Sequence, residues 1–114
     1  MMSHSDISFF QVASQRMQWL ADRQRVTAQN IANSDTPGFE AQDIAPFSQV
    51  LGEARDEPAR ARRDDTAWSI SPDGNSVVLE QQTIRAAQTA GEHRLASQLY
   101  RKGVEMLTLA GGGS

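Results

Sequence analysis

All four prolines of this 114-residue chain, Pro37, Pro46, Pro58 and Pro72, lie in its middle. Proline lacks a backbone N–H and clashes with the preceding helical turn, so long helices are confined to the two flanks. Residues 5–33 contain neither glycine nor proline. There Phe10, Ala13, Met17, Leu20, Gln24, Thr27 and Ile31 recur at intervals of three and four, which predicts a helix about 40 Å long with a coiled-coil-like seam. Val12, Trp19 and Val26 form a second apolar line roughly 100° round the helix from the first. Two apolar lines are expected to face two different partners, which makes Trp19 a contact with another subunit; the alternative is one broad core-facing stripe in a self-contained bundle. Gln11, Gln15, Gln18, Asp22, Arg25 and Gln29 form the polar remainder.

The other flank, 77–110, reads as a second long helix. Leu79, Ala86, Ala90, Tyr100, Val104 and Leu107 gather on one side, and Ile84, Leu95, Leu99, Met106 and Leu109 on another. Arg94, Gln98, Arg101 and Glu105 supply one narrow polar stripe. A helix apolar around most of its circumference needs more cover than one partner helix provides, so neighbouring molecules are expected to complete it. Leu, Ile, Val and Phe together make up only 22 of the 114 residues, and fifteen of the other apolar residues are alanines. Such a chain buries little surface on its own, although a net charge of −3 adds little self-repulsion. Gly91 and Gly103 each cost the helix about 1 kcal/mol against alanine, which fits close backbone approach or a bend at those positions.

Between the flanks, 34–76 reads as largely irregular and partly disordered. The run from Glu53 to Asp65 mixes four arginines with five acids and predicts a solvated, mobile loop. Trp68 and Ile70 alternate with polar residues ahead of Pro72-Asp73-Gly74, a pattern for a short extended segment or small hairpin.

Enzyme chemistry finds no footing. There is no cysteine, and His4 and His93 stand far apart without ligand spacing. Lys102 belongs to no phosphate loop, and Gly111-Gly112-Gly113 reads as a frayed terminus. Arg60, Arg62 and Arg63 are surrounded by Asp56, Glu57, Asp64 and Asp65, which argues against a nucleic-acid surface. Asp73 and Glu80 fit a turn and a first helical turn better than a catalytic pair. No cofactor, metal or catalytic residue is expected. No apolar run is long enough to span a membrane, and no cleaved signal peptide is expected.

The informative stretch is the end of the first helix, Ala32-Asn33-Ser34-Asp35-Thr36-Pro37-Gly38-Phe39. Asn33 suits a left-handed helix closure, and Ser34 or Asp35 suits local bonds to the freed backbone. Pro37-Gly38 fits the centre of a type II turn, and Phe39 follows as an apolar anchor. Ala28-Gln29-Asn30-Ile31-Ala32-Asn33 with Asp35-Thr36-Pro37-Gly38-Phe39 resembles the N-terminal signature of flagellar axial proteins, the rod and hook family. Asp73-Gly74-Asn75-Ser76-Val77 with Leu79-Glu80, leading into a long helix, is similar to a second family pattern. The shortness, the Thr-Pro-Gly-Phe turn and the tail from Leu99-Tyr100-Arg101-Lys102 to Met106-Leu107 resemble the subunits of the proximal rod.

The resemblance implies an all-α, single rod-type domain over 1–114, with two terminal helices packed as an antiparallel, coiled-coil-like pair. It implies a structural subunit of the basal-body rod in the periplasmic space, assembling into a torque-transmitting shaft. The implied partners are other copies of itself, other rod proteins, a FliE-like adaptor, the membrane-ring base and the flagellar type III export apparatus. Assembly contacts are expected at Phe10, Val12, Met17, Trp19, Leu20, Val26, Ile31, Asn33, Pro37, Gly38, Phe39, Ile84, Leu95, Leu99, Tyr100, Met106 and Leu107. A soluble helical adaptor or export chaperone, or another rod protein of the same family, would share much of this pattern.

Overall fold

The computed structural model describes residues 4–51 and 59–112. Helix α1 (His4–Ala32) and helix α3 (Leu79–Gly112) flank a middle segment holding strand β1 (Gln42–Ile44), the one-turn helix α2 (Phe47–Val50) and strand β2 (Ala61–Arg63). The molecule measures 66 × 24 × 18 Å, a length set by the two helices. Their pairing is antiparallel: Phe10 meets Tyr100, Arg16 meets Glu92, Gln24 meets the Ala86 carbonyl and Asn30 meets Gln82. The fold class expected from the family resemblance is therefore the one observed. Helix α3 starts two residues later than expected and runs on through Gly111 and Gly112, so that part of the glycine tail is helical. It also passes unbroken through Gly91 and Gly103. A Cβ at Gly103 would sit 2.7 Å from a Phe9 ring carbon, whereas one at Gly91 would meet nothing within 4 Å.

The second apolar line of α1 does not look outward as expected. Trp19 and Val26 are buried by this chain's own middle segment, in a cluster with Leu20, Ile44 and Ala59 that Phe47, Val50 and Ala96 join. The Trp19 indole donates to the Ala45 carbonyl at 2.7 Å and meets Phe47 edge-on. The Arg16 and Arg23 guanidinium groups lie over its ring at 4.9 and 5.4 Å. Val12, beyond the reach of that segment, stays exposed. At the other end Asn30 rather than Ile31 turns inward, because β1 and α3 together press on the face between the two lines, which leaves Ile31 at the outer edge.

The middle is more ordered than its composition implies. Strands β1 and β2 pair antiparallel, Gln42 with Arg63 and Ile44 with Ala61. The extended segment expected at Trp68 and Ile70 forms no strand, and both side chains are exposed. Of the charged run, residues 53–58 lie outside the described residues, while the rest is held down. Asp22 accepts the Ala59 N–H at 2.9 Å, and Asp64, buried, pairs with Arg85 at 2.8 Å. Arg85 also reaches Asp43 at 3.7 Å, and Asp43 pairs with Arg23 at 2.9 Å. Alternating charge thus joins α1, β1, α3 and the segment after β2. Composition hid this because it shows how many charges there are, not which of them meet.

Candidate functional site

Two features can carry a function: a junction that sets the subunit's shape, and apolar faces that the subunit leaves uncovered. The junction is built from the two sequence signatures, far apart in the chain and joined in space. Helix α1 ends without a left-handed residue; no described non-glycine residue has a positive φ. Instead the Asn33 N–H is shared between the Gln29 and Asn30 carbonyls, and its side-chain amide donates back to Gln29. Thr36, rather than Ser34 or Asp35, donates its hydroxyl to the Asn33 side chain. The chain then turns over Pro37-Gly38, where Phe39 N–H donates to the Thr36 carbonyl and Gly38 has φ +74°, as a type II turn requires.

The second signature locks onto this turn. The Asn75 side-chain amide donates to the Asn33 carbonyl at 2.9 Å and to the Thr36 carbonyl at 2.6 Å, so a distant residue caps α1. Gly38 N–H donates to the Asp73 carbonyl at 2.8 Å, and Gly74, with φ +82°, lies against the Gly38 backbone. Asp73 is exposed, and hydrogen bonds from the Ser71 hydroxyl and the Asn75 N–H hold its carboxyl below the usual aspartate value. Ser76 N–H donates to the Phe39 carbonyl and the Ser76 hydroxyl accepts Ala41 N–H. The exit direction is therefore set by backbone bonds; the Phe39 ring, only partly buried, is no member of the core. One turn into the helices, the fully buried Asn30 exchanges hydrogen bonds with the Gln42 backbone and donates to Gln82 at 3.0 Å.

The expected assembly residues fall into internal, junction and outward-facing groups. Leu20, Trp19 and Val26 are internal, Met17 lies 3.5 Å from the Ser97 hydroxyl, and Phe10 packs edge-on against Tyr100. Asn33, Pro37, Gly38 and Phe39 form the junction. Ile84, Leu95, Leu99 and Met106, with Leu109, remain about half exposed or more, along one side of α3. Leu107 lines an open apolar cleft of about 340 Å³ with Phe9, Phe10, Gly103, Met106 and Ala110. Asn30, Asn75, Ser76, Gln82, Asp22 and the Asp64–Arg85 pair were not singled out from sequence. Asn30, Asn75 and Ser76 stand inside the two signatures, which was the available signal; the others look like ordinary surface polar residues. Among the described residues no group of His, Cys, Asp or Glu converges as a metal site, and no helix is long and apolar enough to cross a membrane.

A helical pair closed by a backbone clasp, with apolar surface left uncovered, defines a structural subunit of the axial type. The model of the family described as "Flagella basal body rod protein" matches residues 10–39, which end at the first turn of the clasp. The flagellar basal body rod protein FlgB of Agrobacterium fabrum (strain C58 / ATCC 33970) is 30% identical over 94% of this chain and 95% of its own length. FlgB of Escherichia coli (strain K12) is 31% identical over 67% of the chain and 72% of its own, and FlgB of Aeromonas hydrophila 28% over 77% and 80%. The chain belongs to the FlgB family of flagellar basal body rod proteins.

Proposed function

We propose that the chain is a rod subunit that acts wholly through contacts, the clasp holding its helices in register while the outer side of α3 packs on neighbours. The observation that carries this reading is the line Ile84, Leu95, Leu99, Met106 and Leu109, exposed on a helix whose other side already holds α1. Burying such side chains is worth about 1.5–3 kcal/mol each, so several in a row supply the drive for association. The neighbours are further copies and other rod proteins, with a FliE-like adaptor and the membrane-ring base at the lower end. The location is the proximal rod in the periplasmic space, where the subunit transmits torque. Export through the flagellar type III apparatus without a cleaved signal completes the reading, and no catalysis belongs to it.

The test is complementation of a flagellated cell lacking its own copy. The unchanged chain should restore motility and be recovered in purified basal bodies at its original N-terminus. Leu95→Asp with Leu99→Asp should be made and exported, keep the monomer's circular dichroism, and be missing from the rods. Normal incorporation of that double variant would overturn the assignment of this face.

A further inference from the structure

A second cleft, of about 520 Å³, runs between α1 and α3 on another flank of the pair. Its walls are Leu20, Ala21, Ala28 and Ala90, and Arg25 and His93 stand at its rim. Its polar groups are Gln24 and Thr89, and both are incomplete: Gln24 Oε1 and the hydroxyl of Thr89, itself 1% exposed, are buried and have no hydrogen-bond partner among the described residues. A buried acceptor left unpaired costs about 1–3 kcal/mol, so the pair of them favours an occupant that brings a donor. The Gln24 amide makes a long 3.3 Å bond to the Ala86 carbonyl, and its soft terminal torsion lets the oxygen turn towards such a donor. Alanine walls suit a flat apolar body.

We propose that this cleft receives Trp68 of a second copy of the chain, its indole N–H donating to Gln24 and its ring lying on the alanines. This rests on the rod-subunit reading, since it needs copies side by side. Trp68 is 60% exposed, yet it is presented from a fixed place: its backbone N–H donates to the buried Gln81 side chain at 3.1 Å. Gln81 and Ala90 are nine residues apart on α3, about two and a half turns, so knob and cleft occupy opposite flanks and one chain cannot fill its own cleft. Charge agrees, with the exposed carboxylates Asp65, three residues before Trp68, and Glu80, next to the Gln81 that holds it, against the Arg25 guanidinium at the cleft. A knob on one flank and its cleft on the other make a head-to-tail contact, which propagates into a helical array instead of closing as a two-fold dimer.

The chain contains no cysteine, so introduced thiols report unambiguously. Chains carrying Ser69→Cys, next to the intact Trp68, and His93→Cys, at the cleft, are mixed and oxidised, beside a mixture of Ser69→Cys with Met106→Cys. A disulfide-linked dimer should form in the first mixture and be lost in the second. In the Trp19→Phe chain, whose only indole is Trp68, emission should shift to shorter wavelength as concentration rises, and Ala90→Leu, which fills the cleft, should abolish the shift. Equal cross-linking in the two mixtures, none in either, or an emission that stays at the solvent-exposed wavelength would overturn the proposal. Basal bodies that contain the Ser69→Cys/His93→Cys chain without the cross-link would overturn it and leave the rod reading standing. Absence of the unchanged chain from basal bodies would defeat the rod reading, while the purified mixtures would still decide this one.

Discussion

Asp64 shows how one charge is made structural. Burial pushes its carboxyl pKa up, but hydrogen bonds from the Thr66 hydroxyl, the Arg85 guanidinium and the Thr66 N–H outweigh that and hold it below the usual value. The stability it contributes is present above the unfolded value of about 3.9 and is lost as pH falls through the lower folded value. Asp64→Asn should therefore destabilise the fold at neutral pH and flatten the acid limb of a stability–pH profile. Breaking such a buried pair costs about 3–5 kcal/mol, and the lower end is expected because Arg85 keeps Asp43 nearby. Trp19 gives a second test. Because its ring is enclosed by the chain's own residues, Trp19→Ala should lower the monomer's melting temperature, by about 3–5 kcal/mol in stability, before any effect on assembly is read.

At the scale of the element, the two glycines of α3 have opposite meanings. Gly91 faces open space, so Gly91→Ala should stabilise the helix by about 0.5–1 kcal/mol, read as a rise in melting temperature. Gly103 lets α3 approach the Phe9 and Phe10 rings, and Gly103→Ala should remove that gain or reverse it as the rings are pushed aside. The middle segment also behaves as an element. Replacing residues 59–65 with a Gly/Ser linker would weaken β2, take the Ala59 side chain out of the core cluster and remove the Asp64–Arg85 pair. Loss of near-ultraviolet circular dichroism from Trp19 is the expected reading, whereas the solvated, mobile loop expected from composition would leave it unchanged.

Across the whole molecule, cohesion is uneven. The clasp, the buried Asn30–Gln82 contact and the core cluster all sit towards one end of the long axis, while the other end is held by Phe9, Phe10, Tyr100 and Leu107 around an open cleft. Amide exchange in the isolated chain should therefore be slowest around Gln82–Thr89 and fastest beyond Gly103. On assembly the protection should spread along α3, as covered apolar surface replaces exposed surface. Uniform protection of α3 in a dilute monomer would show that the far end needs no neighbour.

Much of this architecture was readable before any coordinates. Proline placement confined the helices to the flanks, and apolar spacing of three and four showed which helix faces had to be covered. The residues from Asn30 to Phe39 and from Asp73 to Val77 marked the two halves of the clasp, because tight turns and helix ends restrict which residues can occupy them. Pattern could not say what covers an apolar line. Trp19 and Val26 met their own chain where another subunit was expected, since a segment of low hydrophobicity can still cover a helix when its backbone is paired and its charges are matched. Nor could it separate Asp22, Gln82 and Asp64 from surface residues of the same type, because a polar side chain is buried only where folding brings it a partner from a distant part of the chain. Local preference acts over a few residues and is written in the sequence; the pairing of distant polar groups exists only once the chain has closed on itself.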